Sequence, residues 1–209
     1  MNTIPNHALQ TLPEPYQAQA TIDIKNQRKL ALTLNLTGIL LFLLVFNLMT
    51  RTVYKLRGIE PQSSFTITAD SLWWLPLFSI ILGFIFLIIL HEAAHGLFFW
   101  IYTKKMPKFA LHLSYAYAAA PDWYIRRNAY LVIALAPIVL ITGLGWLLFV
   151  FVPGSWLMPL ALFTSINIAS SIGDLYVVYR LMKMPQSAHI QDEGDRMTFF
   201  VRETPSRPL

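Results

Sequence analysis

Residues 72–102 read LWWLPLFSIILGFIFLIILHEAAHGLFFWIY. The run is apolar from end to end except where His91-Glu92-Ala93-Ala94-His95 interrupts it. At about 1.5 Å per residue, some twenty apolar residues carry a helix across a ~30 Å hydrocarbon core. This stretch is longer, so it must tilt, kink or emerge at one end. Two histidines four apart on a helix lie one above the other on the same face, where both imidazoles can grip one ion. Glu92, beside the first of them, is placed to take a proton from a metal-bound water. The spelling is that of a zinc hydrolase, set in a segment greasy enough to be buried in a membrane.

Composition supports the setting. The chain of 209 residues is 56% hydrophobic and only 13% charged, against about 25% charged for an ordinary soluble domain, and its mean hydropathy is +0.51. These values predict an integral membrane protein whose length suits one bundle of a few spans with short tails. The net charge of +5 does not point to nucleic acid, because the basic residues cluster just outside apolar runs, where they fix topology. With no cysteine, disulfides and thiolate ligands are excluded. Mostly polar residues precede the first apolar run, so no cleavable signal is expected.

In chain order, residues 1–22, with Pro5, Pro13 and Pro15, read as a mobile tail, and residues 1–29 together as a cytoplasmic N-terminal tail. Asp23 is a candidate N-cap for a helix that begins amphipathic and continues as a first span over about 30–50. Asn35 and Asn47 within it read as inter-helix hydrogen bonders. Residues 51–71 form a polar loop in which Ser64–Thr68 suits a short strand. Asp70 or Ser71 caps a second helix over 72–103, with Trp73 and Trp74 as interfacial anchors and Pro76 early enough to be tolerated. From Phe109 to Tyr117 every second residue is large and apolar, which is a strand period. A third span covers 129–152, with Pro137 inside and Gly143 and Gly145 at an expected close helix contact. After the turn Pro153-Gly154-Ser155 a fourth span covers 156–182. The expected fold is therefore an all-α membrane protein, a four-transmembrane-helix bundle over 30–182 with a short membrane-associated strand or hairpin between helices 2 and 3. Residues 183–209 read as a cytoplasmic C-terminal tail, in which a turn at Asp192-Glu193-Gly194 before the apolar group Met197–Val201 suits either a small hairpin or disorder.

Charge placement sets the expected orientation. Thirteen of the sixteen Lys and Arg fall on the side shared by both termini and the 104–128 connection, and three fall in the opposite connections. The positive-inside rule then predicts a multi-pass cell-membrane protein with both termini in the cytoplasm.

A zinc site needs a third protein ligand and an open position. Between Glu92 and Asp192 the acidic residues are Asp122, in a loop, and Asp174, deep in the fourth apolar run. A carboxylate at bilayer depth costs roughly 2.5–3.5 kcal/mol even on a lenient insertion scale, so Asp174 should have a partner, and a metal shared with the histidines supplies one. The levels agree: His95 lies nine residues before Lys104, Asp174 nine before Lys183, and both helices run toward the cytoplasm. His91, His95 and Asp174 are thus the expected Zn2+ ligands and Glu92 the catalytic base that later returns its proton to the leaving amine. Asn167, Ser170 and Ser171 share a helical face with Asp174. Asn167 is a candidate substrate-binding donor, or else a helix-joining residue. His112 and His189 read as a strand-surface and a tail histidine, not as ligands.

The set His91-Glu92-Ala93-Ala94-His95 with Asn167 and Gly173-Asp174 on a later helix resembles the site-2 protease type of intramembrane zinc metalloprotease. It is still more similar to a bacterial family of small membrane proteins described as putative zincin peptidases. That similarity covers most of 12–182, including Ile22-Asp23-Ile24, Ala136-Pro137 and Ser171-Ile172-Gly173-Asp174. It implies a multi-pass zinc metallopeptidase with His91, His95 and Asp174 on zinc and Glu92 as catalyst. It also implies that the strand at 109–117 resembles the edge on which such proteases extend a membrane-protein or peptide substrate. The chain departs from site-2 proteases in reading Gly173-Asp174-Leu175 where they carry Asp-Gly, and in having no PDZ module. The alternative is a non-proteolytic membrane protein whose histidines and Asp174 form a structural or transport-related metal site. The absence of an internal repeat speaks against a transporter.

Overall fold

The computed structural model describes residues 7–23, 25–60, 74–111 and 116–202. The expected strand at 64–68, the caps at Asp70 and Ser71 and the position of His112 lie outside these residues. The chain is mostly helical, and among the described residues four helical segments are long and apolar enough to cross a membrane: Arg28–Arg57, Leu77–Thr103, Arg127–Phe151 and Gly154–Met182. It is not all-α. Alongside the helices it carries a five-stranded antiparallel sheet and a separate two-stranded one.

In order, the elements are β1 (Ala8–Leu9), β2 (Tyr16–Asp23), α1 (Arg28–Arg57), α2 (Trp74–Thr103), β3 (Lys108–Leu111), β4 (Ala116–Ala119), β5 (Tyr124–Arg126), α3 (Arg127–Phe151), α4 (Leu157–Ser170), α5 (Ile172–Met182), β6 (His189–Asp192) and β7 (Arg196–Arg202). The larger sheet has the order β1-β5-β6-β7-β2. Its formation corrects the reading of residues 1–22 as a mobile tail: Tyr16 to Asp23 pair with Arg202 to Arg196. At the other end of the chain, β6 and β7 form the hairpin, with Gly194 at φ 98 in its turn. That left-handed conformation suits glycine, and the Tyr117 ring packs so close that a Cβ there would lie 2.4 Å from it. Asp23 ends β2, and its carboxylate accepts the Asn26 N–H at 3.0 Å in a turn that leads into α1.

Two compact units make up the chain, and helices run through both. Unit 1 comprises Met1–Asn35, Glu92–Ala136 and Gly173–Leu209. Its core joins the sheet to helix ends: Ile22, Ile125, Ile190 and Phe199 from strands meet Phe99 of α2, Tyr130 and Ile133 of α3, and Val177 and Leu181 of α5. Fully burying side chains of this size contributes about 1.5–3 kcal/mol each, which gives short strands a reason to form. In the two-stranded sheet, β3 pairs with β4 from Lys108 with Ala119 to Leu111 with Ala116. Of the strand or hairpin expected between helices 2 and 3, it is an antiparallel pair of strands that forms. Gly96 lets it approach α2, since a Cβ at Gly96 would lie 2.4 Å from the Phe109 ring.

Unit 2 comprises Leu36–His91 and Pro137–Ile172, with a core of Met49, Val53, Tyr54, Phe149, Leu157 and Ala161. Arg57 donates to the carbonyls of Phe149, Val150 and Val152, capping carbonyls left without partners at the end of α3. Gly145 meets Thr164, whose Oγ1 would lie 2.5 Å from an added Cβ, whereas Gly143 has nothing within 4 Å. Of the two glycines expected at a close contact, only Gly145 makes one.

The expected fourth helix is broken. The Ser170 and Ser171 hydroxyls and the Ser171 N–H all donate to the Asn167 carbonyl, at 3.0, 2.9 and 3.1 Å. Hydroxyls that compete for a helical carbonyl weaken the ladder, and α4 ends there. Ser171 alone separates the two helices, so Asn167 falls in α4 and Asp174 in the first turn of α5.

Candidate metal centre

Helix α2 runs unbroken through His91, Glu92 and His95, so the two imidazoles stand one turn apart on one face. His95 is buried at 8% exposure, and its Nδ1 lies 2.9 Å from the Ile133 carbonyl of α3. A carbonyl only accepts, so Nδ1 carries a proton, and in the neutral ring the lone pair is left on Nε2. Pro137 explains why that carbonyl is available. Inside α3 proline has no N–H, and the bond it fails to make is the one to the carbonyl four residues earlier, that of Ile133. The His95 Nε2 lies 3.4 Å from Asp174 Oδ1, in the first turn of α5.

His91 obeys the same logic through a different partner. Asn167 donates its Nδ2 hydrogen to the Pro137 carbonyl at 3.2 Å, which turns Oδ1 toward His91 Nδ1, 3.1 Å away. His91 must then carry its proton on Nδ1, and its Nε2 is also a lone-pair donor. One potential ligand atom from each of His91, His95 and Asp174 lies within 4.8 Å of the others. Zinc bonds of about 2.0–2.2 Å in a tetrahedron put neighbouring ligand atoms about 3.3–3.6 Å apart. The His95–Asp174 separation already meets this figure. Two fixed imidazole nitrogens and a carboxylate suit zinc, with the fourth position left for solvent or substrate.

The remaining candidates fall elsewhere. Glu92, half-buried, follows His91 on the helix and stands outside this ligand set. Asp122 is exposed and lies 3.6 Å from Lys108 Nζ in a surface pair. His189 is not a tail histidine but a buried member of β6, edge-on to the Tyr16 ring at 5.1 Å, and burial holds its ring below the usual range. Asn167, expected as a substrate-binding donor or else a helix-joining residue, here joins helices: its amide links the Pro137 carbonyl of α3 to His91 of α2. Sequence reasoning missed Ile133 altogether, although a proline inside an apolar helix is a signal that the carbonyl four residues back needs another donor.

With this geometry in place, comparison with family models is informative. A model described as "Putative zincin peptidase" matches residues 84–189. The chain belongs to this family. The zincin peptidase family is one of metallopeptidases that implies a zinc cofactor, and the matched residues include His91, Glu92, His95, Asn167 and Asp174. Comparisons with curated proteins and with solved structures find no match.

The hold on His91 yields a first prediction. Asn167→Ala removes the acceptor that fixes its tautomer, and loss of such a partner costs about 10–100-fold in metal affinity. Competition against a chromophoric chelator measures it. Unchanged affinity would mean that the His91 ring is held without Asn167.

Proposed function

We propose that the protein is an intramembrane zinc metallopeptidase of the HExxH type, akin to site-2 proteases, that hydrolyses peptide bonds of membrane-associated substrates. The observation that carries this reading is the matched tethering of the two imidazoles, each with Nδ1 tied to an oxygen so that Nε2 is left to bind an ion, beside the carboxylate of Asp174 in the same ligand set. Membrane residence is supported by the outward faces of the helices, where Leu36, Leu40, Leu43, Phe86, Val139 and Leu147 are all exposed. In water an apolar belt of that size would drive aggregation. Both termini are assigned to the cytoplasm from the basic residues that flank the spans.

In this reading His91, His95 and Asp174 hold zinc, which when bound lowers the pKa of a water molecule toward about 7. Glu92 takes the proton from the attacking water and delivers it to the leaving amine, the two halves of general base and acid work. A substrate unwound from its helix can extend beside β3, whose Phe109 and Leu111 are exposed, with main-chain hydrogen bonds aligning it by edge addition. Ser171, the residue between α4 and α5, sits three residues before Asp174, which falls in the first turn of α5.

The test uses the full chain in lipid nanodiscs with a membrane-tethered reporter peptide. Bound zinc near one equivalent, cleavage lost on chelation and restored by zinc are expected. Zinc-loaded protein that cleaves no tethered reporter, yet carries zinc across liposomes, would favour transport instead.

A further inference from the structure

Helices α2 and α3 meet in register: His95 reaches the Ile133 carbonyl at 2.9 Å, and one turn further along α2 the Phe99 ring packs edge-on to Tyr130 at 6.1 Å. Tyr130 therefore lies about one turn below the His95 contact. Its hydroxyl donates to Asp192 Oδ2 in the C-terminal hairpin, and the Gly194 N–H donates to Oδ1 at 2.8 Å. Asp192 is 3% exposed, and the tight glycine turn holds that N–H in place. An apolar residue would complete the hairpin core at lower cost than a carboxylate. Burial pushes the Asp192 carboxyl up to about 6 while its two donors pull it down, and the charges of His95 and Glu92 act on it in opposite directions. Two donated hydrogen bonds favour its ionised form. No ligand or catalytic role uses it, and it lies beyond the residues matched by the family model.

We propose that Asp192, held by Tyr130, is a positioning residue of the metal centre, whose fixed negative charge beneath His95 favours the cation and couples the C-terminal hairpin to its binding. The proposal rests on the zinc reading of His91, His95 and Asp174. Charge placed beyond the ligands is felt strongly where water is excluded, and outer partners of this kind change metal affinity by about 10–100-fold. Coupling is reciprocal: if the hairpin supports the cation, the cation must steady the hairpin.

The experiment titrates the full chain with Zn2+ against a competing chelator and records the visible ligand-field spectrum of the Co2+ form. Asp192→Asn is expected to weaken zinc binding about 10-fold and shift the Co2+ bands. Tyr130→Phe, which keeps the ring in the core, should weaken it in the same direction. Ile190→Ala loosens the same hairpin without touching charge, so it should leave the Co2+ bands unchanged and weaken zinc binding by less than Asp192→Asn. In the wild type, zinc should slow amide exchange over 189–202, and in Asp192→Asn at saturating zinc it should not. Wild-type affinity in both the Asp192 and Tyr130 variants overturns the proposal, as does an equal loss in Ile190→Ala. Should Asp192→Asn fail to fold, Tyr130→Phe against Ile190→Ala decides. A wild type that binds no zinc would instead sink the metal reading itself.

Discussion

Glu92→Gln is expected to lower the rate of reporter cleavage by about 10²–10⁴-fold, the usual range for loss of a positioned general base, with zinc content unchanged. Glutamine keeps the shape and polarity of the side chain but cannot accept a proton at working pH. His91 keeps its bond to Asn167 and His95 its bond to the Ile133 carbonyl in this variant. The two readouts should therefore separate. Initial rates and metal content measured on one preparation check this. If rate and zinc fall together, Glu92 acts through the metal site and not on the proton. If the rate survives, another group is the base.

What could be read from the sequence was what local spacing encodes. The two histidines share a helical face because the motif is five residues long, and Asp174 could be reached by elimination because an acid in an apolar run is costly. The larger sheet was hidden because its strands come from separated segments and three of them, β1, β5 and β6, hold four residues or fewer. Yet β2 carried a trace: Tyr16, Ala18, Ala20 and Ile22 alternate with Gln17, Gln19, Thr21 and Asp23. That period of two was obscured by Pro13 and Pro15 just before it and by the weak apolar signal of alanine. The fourth apolar run was legible as one span, Gly154–Met182, but not the single-residue interruption at Ser171, where the Ser170 and Ser171 hydroxyls both donate to the Asn167 carbonyl. Asn167 and Pro137 were each visible as residues. Their joint work on His91 was not, because it depends on which carbonyl the Asn167 amide faces.

Asp174→Ala should weaken zinc binding by more than the roughly 10–100-fold of an outer partner, because it deletes one of three protein ligands and the only anionic one. The same variant separates a metal ligand from a counter-charge. As a counter-charge, Asp174 would support His95 whether or not metal is present, through the 3.4 Å approach of Oδ1 to Nε2, and its loss would destabilise the metal-free protein. As a ligand it is a carboxylate held in an apolar segment for the sake of the cation, so its removal should cost the metal-free protein little. Thermal unfolding in detergent with and without zinc distinguishes the two. The wild type should gain stability with zinc as RT ln(1 + [Zn]/Kd), and Asp174→Ala should show almost no gain while melting near the metal-free wild type. Asp122→Ala, which alters only the exposed pair with Lys108, should behave as wild type in both states. A metal-free Asp174→Ala protein that melts well below metal-free wild type, with its zinc affinity intact, would return Asp174 to the role of buried counter-ion and leave the two histidines in need of another third ligand.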